Sequence, residues 1–409
     1  MLRFTVIGIT DNPSPFFSPE VLEVIRHGHV FSGGKRHHEI VAALLPEDAA
    51  WIDITVPLAK VFEQYEGHDH IVVFASGDPL FFGVANTIKR EMPEAEIQLF
   101  PAFNSLQLLA HRLLMPYHDM RVVSLTGRPW PEFDRALIER APKLGILTDR
   151  EHTPAAIARR MLDYGYDHYT MHVGEHLGNP ALERVTSLSL EEARERDFAM
   201  PNCVILDSPP ALLRRPGGES APFGLPDTSF ALLDGREKMI TKMPIRLLTL
   251  QALDLPRRHV LWDIGFCTGS VSIEARLQFP HLEVHAFEVR PECEAIIHEN
   301  ACRHGASGIE VHMGEFRSVC CDSIATPAPD AVFIGGHGGH LQEIMATVLH
   351  FLLPGGVIVM NSVKAPKVLR DSHQLWDEAC QQLGLVQAPP LRIVLDDHHP
   401  IEILKATKP

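Results

Sequence analysis

Two stretches of this chain join an apolar strand to a turn of small residues, which lets backbone N–H groups come close to a small ligand. The first is Ile71–Val84, IVVFASGDPLFFGV, which breaks at Ser76-Gly77-Asp78-Pro79. Gly77 permits positive φ, Asp78-Pro79 sets the turn, and Ser76 and Asp78 offer groups that hydrogen-bond a ligand. The second is Val260–Glu274, VLWDIGFCTGSVSIE. A strand ends there at Asp263-Ile264-Gly265, and a helix begins near Thr268-Gly269-Ser270, whose N-terminus carries partial positive charge. Glu288 ends the next strand, the usual place for an acceptor of ribose hydroxyls. Such a pattern suits NAD or S-adenosylmethionine. Two details favour the latter. The turn G-F-C-T-G is not the G-x-G-x-x-G of a pyrophosphate cradle, and Asp263 would repel a diphosphate but attract a methionyl ammonium. Neither stretch contains G-x-x-x-x-G-K-[ST].

The surrounding elements have to hold these turns. Strands are expected at Phe4–Ile9, Ile52–Val56, Ile71–Ala75, Ile97–Phe100, Arg121–Leu125, Leu144–Leu147, Tyr169–Val173 and Cys203–Leu206. Helices alternate with them at Pro19–His27, after Asp78, at Ser105–Arg112 and at Pro154–Leu162. Ser18 followed by Pro19 is a helix-start signal. The run from Asp207 to Asp234 is rich in Pro and Gly without periodicity and reads as a linker. Alternation then resumes. Strands Val260–Ile264, Val284–Glu288, Ile309–Met313, Ala331–Ile334 and Val357–Asn361 alternate with helices Ser270–Leu277, Pro291–Arg303, Leu341–Phe351 and Lys367–Leu383. This predicts a second, parallel, doubly wound sheet. The expected division is 1–207, a linker at 208–237, and 238–409.

Composition fits two folded domains. The 409 residues exceed one ordinary core, with 45% hydrophobic and 22% charged residues. A net charge of −15 opposes non-specific binding to nucleic acid. No membrane-length apolar run or secretory leader is visible. The cytoplasm is the expected location. The seven cysteines form no C-x-x-C, and the 24 histidines show no regular ligand spacing, so no metal is expected.

In the second half, Met239-Ile240-Thr241-Lys242, Arg246, LWDIGFCTGSVSIEA, Ala286–Glu288, PDAVFIGGHGG and LLPGGVIVMN together resemble the decarboxylating methyltransferases of cobalamin biosynthesis. In the first half, Gly33-Gly34-Lys35-Arg36-His37, the S-G-D-P turn, Pro101–Ser105, SLTGR, Thr148-Asp149 with Thr153-Pro154, and VGEHLG occur in the order seen in tetrapyrrole methylases. The whole chain thus resembles the precorrin-6Y C5,15-methyltransferase (decarboxylating) family, in which the two activities are fused. The resemblance implies an α/β fold class: an N-terminal tetrapyrrole methylase-type domain and a C-terminal Rossmann-like class I methyltransferase domain, both using S-adenosyl-L-methionine. It implies C5 methylation of the precorrin by the first domain. The second would methylate C15 and remove the C12 acetate carboxyl, giving precorrin-8X.

The expected cofactor contacts are Gly8, Ser76, Gly77, Asp78, Pro79, Phe82, Pro101 and Ser105 in the first half. In the second they are Asp263, Gly265, Thr268, Gly269, Glu288, Gly314 and Gly335. A precorrin carries several carboxylates, so Lys35, Arg36, His37 and Thr241 are substrate-binding candidates. Lys242, Arg246 and His337 are the catalytic candidates. Cys267 stands where the turn usually has its second glycine, so its side chain should crowd the methionine part of the cofactor unless the backbone shifts. Val363-Lys364-Ala365-Pro366 also departs from the family pattern. Rival readings are a binding protein with one impaired centre, a methyltransferase on another substrate such as an RNA base, and a dinucleotide oxidoreductase. A homo-oligomer is expected.

Overall fold

A computed structural model describes residues 2–209, 223–322, 326–363, 372–395 and 400–409. The chain divides into two compact units. The first holds 1–128, 142–160 and 168–209, and the second holds 129–141, 161–167 and 210–409.

The first unit contains two five-stranded sheets. Strands β1 (Arg3–Ile9), β2 (Val30–Gly33), β3 (Ala50–Asp53), β4 (His70–Ser76) and β5 (Glu96–Phe100) form a wholly parallel sheet in the order β3-β2-β4-β1-β5. The apolar runs of β1 and β4 are buried on both faces, as a helix-covered parallel sheet requires. Ser18 caps helix Pro19–His27 as anticipated, its side chain accepting from Val21 N–H at 3.3 Å. The second sheet has β6 (Arg121–Ser124), β7 (Lys143–Leu147), β8 (Thr170–Glu175), β9 (Arg184–Ser189) and β10 (Asn202–Asp207) in the order β6-β7-β10-β8-β9. Only β6 and β7 pair in parallel; the rest is antiparallel. Simple alternation misses β9, whose half-exposed Arg184–Ser189 lacks an apolar run.

In the second unit, β11 (Val260–Ile264), β12 (Glu283–Glu288), β13 (Ile309–Met313), β14 (Ala331–Ile334) and β15 (Val357–Val363) form the anticipated parallel sheet, ordered β13-β12-β11-β14-β15. The expectation of a parallel sheet throughout is corrected at one side. There β18 (Ile401–Thr407) pairs antiparallel with β15 and carries β16 (Val386–Gln387) and β17 (Leu391–Ile393). These two are two- and three-residue strands, too short to show a period. Helix Leu341–Phe351 has the anticipated bounds. The expected helix Lys367–Leu383 is described from Ser372, and Lys364-Ala365-Pro366 lies outside the described residues. Of the segment 208–237, residues 210–222 also lie outside them. Beyond it, Leu225, Phe230 and Leu233 are buried in the second unit's apolar clusters.

Gly8 sets a tolerance for the first unit. A Cβ there would lie 1.9 Å from the Gly77 carbonyl oxygen and 2.6 Å from Ala102 N. Gly8→Ala should therefore cost at least about 2 kcal/mol, since overpacking a tight contact between backbones cannot be relieved by a side-chain rotation. Urea unfolding of the variant measures it.

Candidate functional sites

The first site grows from the carboxyl ends of β1, β4 and β5. Register partners Ile9 and Ser76 end β1 and β4 side by side. Gly77 N–H donates to Ile9 O at 2.8 Å, and Ala102 N–H donates to Gly77 O at 3.2 Å, so three loops are laced together. Gly77 takes φ +61. Asp78 closes its own turn by accepting from Leu80 N–H at 2.9 Å. Asn104 caps the helix that begins at Ser105, pairing reciprocally with Gln107. Ser76 and Pro101 are exposed and Pro79 is buried. Phe82 has φ +53, and the Arg128 guanidinium lies 5.0 Å from its ring centroid.

Lys35, Arg36 and His37 open a helix that simple alternation misses, Lys35–Val41. Arg36 donates to Ser76 Oγ at 2.9 Å and to Asp11 at 2.8 Å. His37 Nδ1 accepts from Gly34 N–H at 3.2 Å, which leaves Nε2–H to donate to Ser76 Oγ at 2.9 Å. Burial first, and Arg36 second, lower the His37 pKa to about 4, so it is neutral near pH 7. Two donors on Ser76 Oγ free the Ser76 hydroxyl proton for a ligand. Lys35 is exposed. Sequence reasoning missed Asp11 and His176, whose Nδ1 lies 2.9 Å from Asp11 Oδ2. They are 165 residues apart, and no local spacing announces them.

The second site is a cavity of about 1190 Å³ at the carboxyl edge of the parallel strands. Small-molecule sites commonly span about 300–1,000 Å³, so it has room for a cofactor beside a large acceptor. Of the expected residues, Thr241, Lys242, Gly265, Glu288, Gly314, Gly335 and His337 line it. Gly265 has φ +77, and a Cβ there would lie 2.7 Å from Gly336 N. Glu288 receives five donors: Val289 N, Arg290 N and Arg290 Nε on Oε1, and Cys267 N and Arg290 Nη2 on Oε2. Burial works against its charge, but Arg290 and these N–H groups hold its carboxyl below the ordinary range. Arg290, unanticipated, also lines the cavity, so a diol binding Glu288 must draw on a carboxylate that the guanidinium already holds.

Four expected contacts are corrected. Arg246 is wholly buried and does not line the cavity. Its Nε donates to buried Glu274 at 3.1 Å and its Nη1 to Thr241 O at 2.8 Å, with further bonds to Asp227 and Leu225 O. It therefore positions the Thr241-Lys242 segment instead of touching a substrate. Asp263 is also buried behind the turn, accepting from Ser272 Oγ at 2.6 Å, with no partner for Oδ1 among the described residues. Burial, outweighing the Ser272 bonds, raises its pKa to about 7. Thr268 is buried with its carbonyl accepting from Asn300, and a Cβ on Gly269 would meet Ile297 at 2.3 Å. Both serve helix packing. Sequence reasoning cannot separate such a packing glycine from a ligand-facing one in the same turn.

Cys267 takes φ +50, the left-handed conformation a glycine would adopt, and its residue lines the cavity beside Gly265 and Phe266. Its side chain packs among Ala286, Cys293 and Ile297. His337 is half-buried, and burial, then His340, lowers its pKa. Its Nδ1 accepts from Gly339 N–H at 3.2 Å, so the neutral ring keeps its proton on Nε2. Asn361, also on the wall, has its Oδ1 3.1 Å from Thr249 Oγ1, whose proton goes to Ile245 O at 2.8 Å, and among the described residues its Nδ2 is buried without a partner.

The two Gly-tightened sheet edges, one with a cavity and an acidic strand end, are candidate small-molecule sites, and the family matches place the chain in the methyltransferase class. Residues 17–194 match the family described as tetrapyrrole (corrin/porphyrin) methylases, and residues 234–392 match the precorrin methyltransferase domain. Over 395 residues the chain is 31% identical to a precorrin-6Y C(5,15)-methyltransferase [decarboxylating] from Sinorhizobium sp., covering 95% of this chain and 91% of the relative. From Salmonella typhimurium, a cobalt-precorrin-7 C(5)-methyltransferase is 30% identical over 204 residues, covering 50% of this chain and 98% of the relative. A cobalt-precorrin-6B C(15)-methyltransferase (decarboxylating) of the same organism is 40% identical over 131 residues, covering 32% of this chain and 66% of the relative. The chain belongs to the precorrin-6Y C(5,15)-methyltransferase (decarboxylating) family, S-adenosylmethionine-dependent C-methyltransferases of cobalamin biosynthesis.

Two stability predictions follow from the buried charges. Arg246→Met strands the Glu274 carboxylate in the core and should cost about 3–5 kcal/mol, whereas Arg246→Met with Glu274→Gln should recover part of that in urea unfolding. For Asp263 the folded pKa is raised, so the native state holds its proton more tightly than the unfolded chain. Its contribution to stability therefore falls as pH rises from about 4 to about 7 and is level above that. Asp263→Asn should match the parent near pH 4 and exceed its melting temperature increasingly up to pH 7.

Proposed function

We propose that the chain carries out two methylations and one decarboxylation on a single precorrin, precorrin-6Y or its precorrin-6B form. Residues 1–207 would transfer the methyl group to C5. Residues 238–409, Rossmann-like, would methylate C15 and remove the C12 acetate carboxyl, giving precorrin-8X. The observation that carries this reading is the large cavity where Glu288, Lys242, His337 and Asn361 meet on one wall system.

S-adenosylmethionine supplies an electrophilic methyl group, so the protein's main task is to align the acceptor carbon with it. Gly265, Gly314 and Gly335 leave room at the strand ends, and Glu288 offers acceptors to a ribose. Lys242, a quarter exposed, stands 3.9 Å from Asp227 and is free to shift toward a substrate carboxylate. The Asn361 side-chain amide, on the same wall, provides a second donor for such a carboxylate. When carbon dioxide leaves the acetate, the ring system takes up the electron pair and the carbon left behind needs a proton. His337, with hydrogen on Nε2, is placed on the cavity wall to give it. In the first unit, Ser76, Gly77, Asp78, Pro79 and Phe82 hold the cofactor, and Arg36 with His37 tie the substrate side to Ser76.

Among the described residues no helix is long and apolar enough to cross a membrane. The reading includes a cytoplasmic enzyme, no nucleic-acid partner and a homo-oligomer; the net charge of −15 supports the second of these.

Incubation with S-adenosylmethionine and the reduced precorrin should give a product with two added methyl groups and one carbon dioxide lost, read by mass. Lys242→Met should lower the rate of C15 methylation and decarboxylation at least tenfold while C5 methylation continues. Equal loss of all three steps would contradict the division of labour.

A further inference from the structure

At the outer edge of the second unit's sheet stands a cluster that methyl transfer does not use. His285 on β12 and Glu310 on β13 are register partners, and His312 follows two residues later. All three side chains therefore stand on one face of adjacent parallel strands. Their ligand atoms lie within 4.8 Å of one another. His285 Nδ1 is 3.0 Å from His312 Nε2 and 3.4 Å from Glu310 Oε2. Zinc ligands sit about 2.0–2.1 Å from the ion, so at tetrahedral angles they stand about 3.3–3.4 Å apart, close to these separations.

The other nitrogen of His285 supplies an independent observation. Nε2 lies 3.1 Å from Glu283 Oε1. That carboxylate keeps the proton on Nε2 and leaves the Nδ1 lone pair facing His312 and Glu310. A carboxylate behind the far nitrogen is the usual outer support of a metal-bound histidine. His285 is 1% exposed, whereas Glu310 is exposed and His312 half-buried. An ion would be anchored from inside the sheet and reached from solvent, with its fourth position open to water.

We propose that His285, His312 and Glu310 bind a divalent transition metal, Zn²⁺ being the ion for which two imidazoles, one carboxylate and an open fourth position form a tetrahedral set. Without the ion, His312 Nε2–H donates to His285 Nδ1; the ion replaces that proton and turns both nitrogens into ligands. The strands involved run directly to Glu288 and Gly314 on the cavity wall. The site is thus a clamp on the edge strand that carries part of the methyl-transfer site. It does not depend on which macrocycle that site accepts.

The full chain, stripped of metal with a chelator, is titrated with Zn²⁺ by calorimetry and with Co²⁺ by visible absorption. One equivalent should bind, with the intense Co²⁺ bands of tetrahedral coordination. His312→Gln with Glu310→Gln should abolish those bands and weaken Zn²⁺ at least tenfold. Glu283→Gln should weaken Zn²⁺ about tenfold while leaving the bands, the signature of an outer support. Both substituted ligands are at least partly exposed, and unchanged melting of the metal-free variants shows that they fold. Unaltered Zn²⁺ affinity in the double variant, or only the pale absorption of octahedral Co²⁺ in the parent, would overturn the assignment.

Discussion

Both sites rest on the same constraint: two neighbouring parallel strands release their chains at one sheet edge, and the loops touch backbone to backbone. In the first unit the contact is Gly8 against the Gly77 carbonyl; in the second it is Gly265 against Gly336. No side chain fits between either pair. The contact brings polar backbone and the neighbouring strand ends to one place, which is what a flat, polar cofactor needs. Ser76 and Glu288 are then delivered to their sites by strand length alone, since each ends its strand.

Buried charge does the rest in the second unit. Arg246 and Glu274 are both out of water, and a pair of that kind is tolerated because its remaining donors and acceptors are used. Glu274 accepts from the N–H groups of Gly224 and Leu225, and Arg246 donates to Leu225 O and Thr241 O. The pair therefore stitches the entry segment of the unit to the floor of the cavity and presents Lys242 there. The first unit has a looser equivalent, in which Asp11 joins Arg36 and His176 and so links the end of β1 to the helix after β2 and to the loop after β8.

The sequence made the parallel strands legible because their apolar runs are short and bounded, and in β11 and β14 largely buried; β11, β14 and the partly exposed edge strand β13 have the anticipated bounds. It concealed β9, which is half-exposed, and β16 and β17, which are too short to show a period; β18, seven residues and mostly buried, is long enough to show one but is not among the expected strands. The candidate sites were legible as turns but not as faces. Gly265 and Gly269 look alike in G-F-C-T-G, yet one approaches another loop at the cavity and the other packs on Ile297. Arg246 looked like a catalytic cation because its partner Glu274, 28 residues away, is invisible to local spacing. Arg290 escaped for the opposite reason: a surface-type residue two positions beyond Glu288 gives no signal until the carboxylate is seen to be occupied. Cys267 departs from the glycine pattern but takes the left-handed backbone that a glycine adopts readily, and it stands on the cavity wall.

The account requires two separate, unlike methyl-donor sites on one polypeptide. Calorimetric titration of the full chain with S-adenosylhomocysteine tests this most directly. It predicts two molecules bound per chain, one lost on replacing Gly77 by Val and the other lost on replacing Glu288 by Ala. A single molecule per chain, or one substitution that removes both, would contradict it.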